Sequence, residues 1–305
     1  MDNSVKIVIL ISMHHDYRGR FAPSPTGPLH FGSLIAALGS FLQARALRGC
    51  WLVRIEDLDP PREVARAADE ILRCLDAFGL HWDEEVWYQS RRNEAYSAAL
   101  EELGRLGVTY HCGCSRKELA GHEIYPGICR AGLPNGKTPR AVRLCAPTVS
   151  IEFTDLVQGR QHQDIARTLG DFVIRRADAL FAYSLAVVVD DAAQGISEII
   201  RGSDLLELTG GQIHIQRLLG LPTPQYGHLP IAVNQQGEKL SKQTYAPPLD
   251  YKNPTPALWR ALAFLGLTPP LELRRESARL LLDWGLDQWT IQSVPKVRAM
   301  PLLES

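Results

Sequence analysis

The chain has 305 residues, of which 45% are hydrophobic and 22% are charged, as expected for a soluble enzyme with a large core divided over two or three units. Its formal net charge of -1 excludes the overall basic character of many nucleic-acid-binding proteins. Any RNA contact must therefore come from local patches, for which Arg91-Arg92, Arg116-Lys117 and Arg175-Arg176 are candidates.

The first segment, residues 1–15, is interpreted as an N-terminal extension. Its apolar run from Val5 to Met13 is too short to span a bilayer and lacks the small-residue pattern of a cleavage site. The sequence therefore predicts a cytoplasmic protein without a membrane segment.

The next segment reads R-F-A-P-S-P-T-G-P-L-H-F-G-S from Arg20 to Ser33. Its prolines and glycines predict an extended, turning chain that opens directly onto a helix from Leu34 to Arg48. The free N–H groups and the positive dipole end of such a helix attract phosphate. His30 can donate to that phosphate, and Gly32 leaves room for a nucleotide against the backbone.

A buried strand is predicted at Trp51 to Ile55, followed at once by acidic residues. The carboxyl end of a parallel strand is where α/β sheets place ligand groups. We interpret Glu56 as a partner for the ammonium of an amino acid. Asp57 and Asp59 are candidate caps of the next helix, and the interpretation as a cap is favoured for Asp59.

Further elements follow in α/β order. Helices are predicted at about 63–78 and 91–106, strands at 172–175 and 185–190, and a loop with a helix at 202–219. A second half of a nucleotide-binding fold accounts for this order most economically. Two helical segments, 256–265 and 273–284, are predicted near the end of the chain.

The segment from 111 to 150 differs in composition from the rest of the chain, because it is rich in Cys, Gly, Pro and basic residues. In a reducing cytosol its three clustered thiols, Cys112, Cys114 and Cys129, indicate a metal site rather than disulfides, and zinc is the expected ion. Spacing alone favours His122 or His111 as the fourth ligand. The three remaining cysteines, Cys50, Cys74 and Cys145, are interpreted as buried and unreactive.

The segment Lys239-Leu240-Ser241-Lys242-Gln243 lacks a sustained apolar period, which is typical of a mobile loop. Such a loop can close over a triphosphate and bring two ammonium groups, from Lys239 and Lys242, to the reacting phosphate. Each motif alone is a weak signal. The order of this loop and the histidine motif, separated by a stretch the size of a nucleotide fold, predicts an ATP site.

Four motifs together resemble the class I glutamyl-tRNA synthetases over roughly Arg20 to Gln243. They are R-F-A-P-S-P-T-G-x-L-H-x-G-S, R-I-E-D-x-D-P, I-x-R-G-x-D-L-L and K-L-S-K. The resemblance implies an α/β, Rossmann-type nucleotide-binding fold with a zinc-containing insertion and a short helical C-terminal region. Because few residues follow Gln243, the chain is most similar to the truncated paralogues within this family.

The resemblance divides the chain into five parts. These are the extension (1–15), the first half of the catalytic domain (16–110), the zinc-binding insertion (111–150), the second half with the lysine loop (151–243), and the helical C-terminal region (244–305).

The resemblance also implies site residues. Tyr125 becomes the fourth zinc ligand beside the three cysteines, with one ion per chain. The implied ATP-binding residues are His30, Gly32, Ser33, Lys239, Ser241 and Lys242, of which His30, Lys239 and Lys242 are catalytic. The implied glutamate-binding residues are Arg20, Phe21, Ala22, Pro23, Ser24, Glu56, Tyr183 and Arg201.

This glutamate set is chemically sensible, because a substrate with two carboxylates and one ammonium calls for two guanidinium groups and one acid. Which arginine takes which carboxylate stays open. The lysine loop ends in Gln243 rather than in the usual second serine, so only Lys239, Ser241 and Lys242 carry over.

The implied reaction begins with attack of glutamate on the α-phosphate of ATP, with magnesium on the phosphates and no need for tRNA. The glutamyl group then passes to the queuosine base in the anticodon of tRNA(Asp), and the enzyme is expected to be a monomer. Three alternatives remain: a conventional glutamyl-tRNA synthetase, a small-molecule nucleotidylyltransferase, and a catalytically silent tRNA-binding module.

Overall fold

The computed structural model describes residues 17–234, 236–239 and 247–302. No helix in this part of the chain combines the length and the apolar character needed to cross a membrane. Its strands are β1 (Arg18–Phe21), β2 (Cys50–Ile55), β3 (Trp87–Tyr88), β4 (Thr109–Cys112), β5 (Ala141–Leu144), β6 (Ile151–Asp155), β7 (Gly159–Gln163), β8 (Phe172–Arg175), β9 (Glu198–Gly202), β10 (Gln225–Leu229), β11 (Ile231–Val233) and β12 (Ala299–Pro301). Its α-helices are α1 (Phe31–Ala46), α2 (Ala67–Ala77), α3 (Asn93–Arg105), α4 (Ile165–Thr168), α5 (Tyr183–Ala193), α6 (Leu206–Leu218), α7 (Thr255–Phe264) and α8 (Ala278–Gln288).

Parallel strands form the centre of the molecule. Strands β1, β2 and β3 pair in the order β1-β2-β3, and β6, β10 and β9 pair in the order β6-β10-β9, all in parallel. The two groups meet where the Ser197 N–H, just before β9, donates to the carbonyl of Arg18 in β1 at 3.0 Å. The carboxyl ends of β1, β2, β9 and β10 therefore lie at one edge, which is the usual ligand edge of such a sheet.

Helix α1 anchors this edge to the core. Leu34, Ile35, Leu38 and Leu42 are each at most 2% exposed, and burial of such a side chain stabilises the fold by about 1.5–3 kcal/mol. On the far side of the helix, the Trp289 indole N–H donates to the Gln43 side chain at 2.9 Å. The N-terminus of α1 is thereby fixed beside the ends of the strands.

The predicted strand at 185–190 is wrong, because these residues belong to helix α5. The side chains of residues 185–188 are all at most 2% exposed. A continuous apolar run of this length is compatible with either a buried strand or a buried helix, and tertiary packing overrode the β-propensity of its valines. The strand predicted at 172–175 is confirmed as β8, but it pairs antiparallel with β5 in a separate sheet with β4.

The C-terminal part of the described chain is helical, with one strand that was not predicted. The segment predicted at 256–265 is α7, whereas that predicted at 273–284 splits into a short 3-10 turn and α8, which begins after the Ser277 cap. Strand β12 pairs in parallel with β11, the strand that precedes the lysine loop. A strand of three residues is too short to show an alternating pattern of apolar and polar residues in the sequence.

Candidate active site

A cleft of about 620 Å³ lies at the carboxyl ends of β1, β2, β9 and β10, beside the N-terminus of α1. All eight residues predicted to bind glutamate line it, namely Arg20, Phe21, Ala22, Pro23, Ser24, Glu56, Tyr183 and Arg201. Four of the residues predicted to bind ATP line it too, namely His30, Gly32, Ser33 and Lys239. Ser241 and Lys242 lie outside the described residues. The fold thus brings the two halves of the predicted site into one cavity.

His30 is the N-cap of α1. Its Nδ1 accepts a hydrogen bond from the Ser33 N–H at 3.3 Å. In the neutral ring the proton then resides on Nε2, which makes that atom a donor. The helix end therefore offers an imidazole N–H together with the positive end of the α1 dipole, and both favour an anionic ligand.

Lys239 enters the cleft from the lysine loop. Its Nζ lies 2.5 Å from a carboxylate oxygen of Asp204, in the short turn after β9. This ion pair is half exposed, so it contributes little to stability. Its consequence is positional, because it holds the ammonium of Lys239 at the cleft wall.

Arg20 belongs to a buried charge network. Its guanidinium donates to both carboxylate oxygens of Asp191, at 3.0 and 3.2 Å, and both side chains are 3% exposed. Arg54, fully buried, lies 2.8 Å from the same carboxylate and 3.4 Å from Glu56. Asp190 continues the network through a hydrogen bond from the Tyr96 hydroxyl at 2.6 Å. Buried charges of this kind persist only when each has partners.

Glu56 follows β2 directly, and its N–H donates to the carbonyl of Pro23 at 3.0 Å, which ties the ends of β2 and β1 together. Burial raises the pKa of Glu56 to about 7, while Arg54 and Arg20 oppose this rise. Although Arg54 lies 3.4 Å away, the site therefore destabilises the Glu56 carboxylate and favours a further cation beside it.

Arg201 on β9 is 4% exposed and is held differently. Its Nε donates to His228 Nε2 at 2.9 Å, and its Nη2 donates to Thr209 and Gln212, each at 2.8 Å. Its Nη1 lies 3.3 Å from the hydroxyl of Tyr183. All these acceptors are uncharged groups, so within the described residues this guanidinium has no carboxylate in direct contact.

His228 on β10 is fully buried, and its Nδ1 lies 2.5 Å from Asp155 at the end of β6. Burial lowers the pKa of His228 to about 4, although the hydrogen bond with Asp155 opposes this change. The ring is therefore neutral near pH 7. Its proton on Nδ1 faces Asp155, and Nε2 remains an acceptor for Arg201.

Sequence reasoning missed the residues that support the cleft: Arg54, Asp155, Asp190, Asp191, Asp204, Thr209, Gln212 and His228. A signal existed for Arg54, a charge inside the apolar run of β2, and for Asp190-Asp191, an acidic pair that ends the apolar run of α5. The prediction that Asp59 caps a helix is wrong. It occupies the N-cap position of the turn at Pro60–Arg62 but makes no side-chain cap and instead pairs with Arg62 and Arg176.

The three cysteines of the insertion meet at one point. The sulfurs of Cys112, Cys114 and Cys129 lie within 4.8 Å of one another, and two of them, from Cys114 and Cys129, are 3.6 Å apart. The Tyr125 oxygen is 3.5 Å from the sulfur of Cys112 and 3.8 Å from that of Cys114. His122 and His111 are exposed, and no histidine belongs to this group among the described residues.

Positive groups surround these thiols. The Arg143 guanidinium lies 3.7 Å from the centre of the Tyr125 ring, and the Lys137 ammonium is 3.7 Å from the sulfur of Cys114. Burial opposes ionisation of Cys112, but hydrogen bonds from Tyr125 and Arg143 lower the pKa of its thiol to about 7. Cys112 therefore favours the thiolate, the form that binds metal, whereas burial raises the pKa of the Cys114 thiol.

The other cysteines differ from expectation. Cys74 is buried, and burial raises the pKa of its thiol to about 11, which makes it unreactive as predicted. Cys50 and Cys145 are only half-buried, so the prediction of burial is wrong for these two. Cys50 begins β2 and Cys145 follows β5, and residues at the ends of short strands carry no periodicity from which their exposure could be inferred.

The candidate basic patches for RNA are partly engaged within the protein. Arg92 pairs with Asp190, and Arg91 lies over the ring of Tyr88. Arg176 pairs with Asp59 and Asp178. Of the three pairs, Arg116-Lys117 is the one whose two side chains are both exposed.

A family model for the catalytic domain of class I tRNA synthetases (E and Q) matches residues 16–124 and 133–270. The chain is 54% identical over 293 residues to the glutamyl-Q tRNA(Asp) synthetase of Dechloromonas aromatica (strain RCB), covering 93% of this chain and 97% of that protein. It is also 54% identical over 286 residues to that of Cronobacter sakazakii (strain ATCC BAA-894), covering 93% and 95%. The chain belongs to the glutamyl-Q tRNA(Asp) synthetase family.

The fold of this family member is that of larger class I enzymes. It is similar to the glutamate-tRNA synthetase of Elizabethkingia anophelis with a TM-score of 0.78 and 24% identity, covering 92% of this chain and 67% of that one. At this identity the likeness concerns the fold. Together with the match to the class I catalytic domain, it confirms the predicted Rossmann-type architecture.

Proposed function

We propose that this protein activates L-glutamate with ATP in the absence of tRNA and then transfers the glutamyl group to the queuosine base in the anticodon of tRNA(Asp). One observation carries the proposal. The cleft at the carboxyl ends of the parallel strands unites the residues of the ATP motif with two arginines and one acid. Membership of the glutamyl-Q tRNA(Asp) synthetase family supports the same assignment.

The charges of the cleft suit glutamate. Arg20 and Arg201 supply two guanidinium groups, and Glu56 supplies a carboxylate whose ionised form needs a cation beside it. An ammonium group bound at Glu56 would provide that cation, and the two carboxylates of the substrate would take the guanidinium groups. Phe21, Ala22, Pro23, Ser24 and Tyr183 line the cavity between these charges.

ATP is assigned to the N-terminus of α1. His30, Gly32 and Ser33 lie at this helix end, and Lys239 lies across the cleft. In the proposed reaction a carboxylate oxygen of glutamate attacks the α-phosphorus, and pyrophosphate leaves. Lys239 and Lys242 would stabilise the charge that develops on the phosphates, and magnesium accompanies ATP as its counterion. Positioning and electrostatics account for this step, so no nucleophilic side chain is needed.

The cysteine cluster is assigned to one structural zinc ion. Sulfurs bound to one tetrahedral zinc lie about 3.8 Å apart, which compares well with the 3.6 Å between the sulfurs of Cys114 and Cys129. We assign Tyr125 as the fourth ligand because its oxygen lies at a comparable distance from two of the sulfurs. The ion would hold the insertion together rather than take part in the reaction.

The proposal is tested in two assays. ATP–pyrophosphate exchange is measured with each amino acid in the absence of RNA, and glutamate is expected to be the best substrate. Labelled glutamate is then offered with tRNA(Asp) that carries queuosine or plain guanosine at position 34, with and without the 3'-terminal adenosine. Transfer is expected to require queuosine and to survive loss of the terminal adenosine.

Each alternative gives a different result. Charging of tRNA(Glu) at its 3' end, with no product on the modified anticodon, would establish a conventional glutamyl-tRNA synthetase. Exchange that needs no amino acid would indicate a nucleotidylyltransferase. Binding of tRNA without any exchange would indicate a silent binding module. The predicted monomeric state and cytoplasmic location stay predictions.

A further inference from the structure

The two arginines of the cleft are held in opposite ways. Arg20 already has a carboxylate on its guanidinium, because Asp191 accepts two hydrogen bonds from it. Arg201 is equally buried, yet its hydrogen bonds go to uncharged acceptors. Buried guanidinium groups usually contact a carboxylate directly, so the surroundings of Arg201 need an explanation.

Asp155 is placed one imidazole ring away from Arg201. Asp155 accepts from Nδ1 of His228 at 2.5 Å, and Nε2 of the same ring accepts from Arg201 at 2.9 Å. The negative charge of Asp155 therefore balances the Arg201 guanidinium through the ring of His228. Asp155 itself occupies none of the N–H groups of Arg201. Coulomb attraction falls with distance, so this indirect pair is weaker than a contact pair.

Gln212 completes the arrangement from α6. It is 1% exposed, and its Oε1 accepts from Arg201 Nη2, while its Nε2 finds no hydrogen-bond partner among the described residues. An unpartnered buried amide N–H is costly, and a carboxylate would make the same bond to Arg201 without any such donor. The neutral side chain thus leaves one buried donor unsatisfied in the empty protein, at a cost in free energy.

We propose that Gln212, together with the Asp155–His228 pair, positions Arg201 while keeping its charge available, so that a carboxylate of the amino-acid substrate becomes the contact ion partner of this guanidinium. Gln212 and His228 are positioning residues in this account, because they act through Arg201. The inference rests on the proposed function, since it assigns a substrate carboxylate to the same cleft.

The test separates the effect of charge from the effect of hydrogen bonding at position 212. Gln212→Glu keeps an acceptor for Arg201 and adds a competing carboxylate, whereas Gln212→Met keeps the size of the side chain and removes the acceptor. In glutamate-dependent ATP–pyrophosphate exchange, Gln212→Glu is expected to raise KM for glutamate at least about tenfold more than Gln212→Met does. The KM for ATP is expected to stay within about threefold of the parent value in both variants.

A second pair of variants, at position 209, shows whether a result at position 212 is caused by a folding defect. Thr209 also accepts from Arg201 Nη2 at 2.8 Å, and Thr209→Asp with Thr209→Val repeats the comparison on another turn of α6. Thermal unfolding of all four variants identifies any that fail to fold. The same order, with the acidic variant weaker in glutamate binding, is expected at both positions.

The inference is overturned if the methionine and valine variants lose glutamate affinity as much as the acidic ones, because hydrogen bonding rather than charge would then matter. It is also overturned if KM for ATP rises in parallel. Failure of the proposed function looks different: the unmodified protein itself would then show no exchange with glutamate.

Discussion

The cleft and the cysteine cluster both unite polar side chains from distant parts of the chain, but they obtain their order from different sources. In the cleft, Arg20 and Arg54 reach Asp191 from strands β1 and β2, and all three side chains are at most 3% exposed. In the cluster, the ligands stand on residues 112–129, and residues 113–140 form no helix or strand. Strands and a helix position the residues of the cleft, whereas most residues of the cysteine cluster lie in loops.

This difference indicates which site depends on an added ion. On the Arg20 side of the cleft, the counterion Asp191 is built in, so this part is formed before substrate arrives, as a site that stabilises a transition state requires. Close thiols without an ion repel one another once they ionise, and the surrounding loops bury few apolar side chains. We therefore expect the cluster to be ordered by metal and the cleft to be independent of it. Four predictions examine this contrast.

The largest effect is expected from Cys129→Ala. Structural zinc contributes on the order of 10 kcal/mol to the folding of small metal-dependent units, so loss of one thiolate should release the ion and loosen residues 113–140. Metal analysis should show no bound zinc, and limited proteolysis should cut within this segment. Glutamate-dependent exchange should continue. A variant that loses zinc and exchange together would contradict the independence of the two sites.

The next effect is expected from Arg201→Ala. Removal of a buried charged partner costs roughly 2–5 kcal/mol, so kcat/KM for glutamate in the exchange reaction should fall on the order of 100- to 1000-fold. The zinc content should stay at the parent level, which serves as the control for intact folding of the insertion. A decrease of less than about threefold would remove Arg201 from the glutamate site.

A smaller effect is expected from Tyr125→Phe, which keeps the ring beneath Arg143 and removes the oxygen. If this oxygen is the fourth ligand, zinc affinity should fall at least about tenfold, as measured by competition with a chelator. The matched control is His122→Ala, at an exposed residue of the same loop. Full retention of zinc by the tyrosine variant, with loss in the histidine variant, would reverse the assignment.

The last effect, a gain rather than a loss, is expected in the stability of Glu56→Gln. The pKa of Glu56 is raised from its ordinary value of 4.5 to about 7, so ionisation costs free energy in the folded protein. The parent protein therefore loses stability as pH rises from about 4.5 to 7, and the variant avoids this loss. Well above pH 7 the variant should be more stable by about 3 kcal/mol, and well below pH 4.5 the difference should vanish.

The same variant should activate glutamate poorly at every pH, because an amide cannot replace a carboxylate opposite an ammonium group. A gain in stability with a loss of activity is the usual sign of a site strained for function. Unfolding curves at pH 4.5 and pH 8 provide the measurement. Equal stability of variant and parent at pH 8 would show that the Glu56 carboxylate is compensated in the empty cleft.

The sequence predicted the residues that face ligands better than those that support them. His30, Glu56 and Arg201 stand in motifs where residue type and order carry the signal, and all three line the cleft. His228 has no such signal, and Asp191 has only that of an acidic pair after an apolar run, because the roles of both residues depend on which elements lie opposite them. The run 185–190 illustrates the same limit, since an apolar stretch does not reveal whether a sheet or a helix bundle will surround it.

The sequence by itself determined the chemistry of this protein: an anion-binding helix end, two guanidinium groups with one acid, and three thiols in one short segment. The helix end and the thiols follow from residue types and local spacing, which act over a few bonds and a single turn, whereas the two guanidinium groups with one acid are implied by the resemblance of four motifs to the class I glutamyl-tRNA synthetases. Only the tertiary structure decided that Arg20 meets a carboxylate directly while Arg201 meets one through His228. For Arg20 the carboxylate partner lies more than a hundred residues away along the chain. Three-dimensional packing, rather than local spacing, therefore decides which charged groups come close enough to interact.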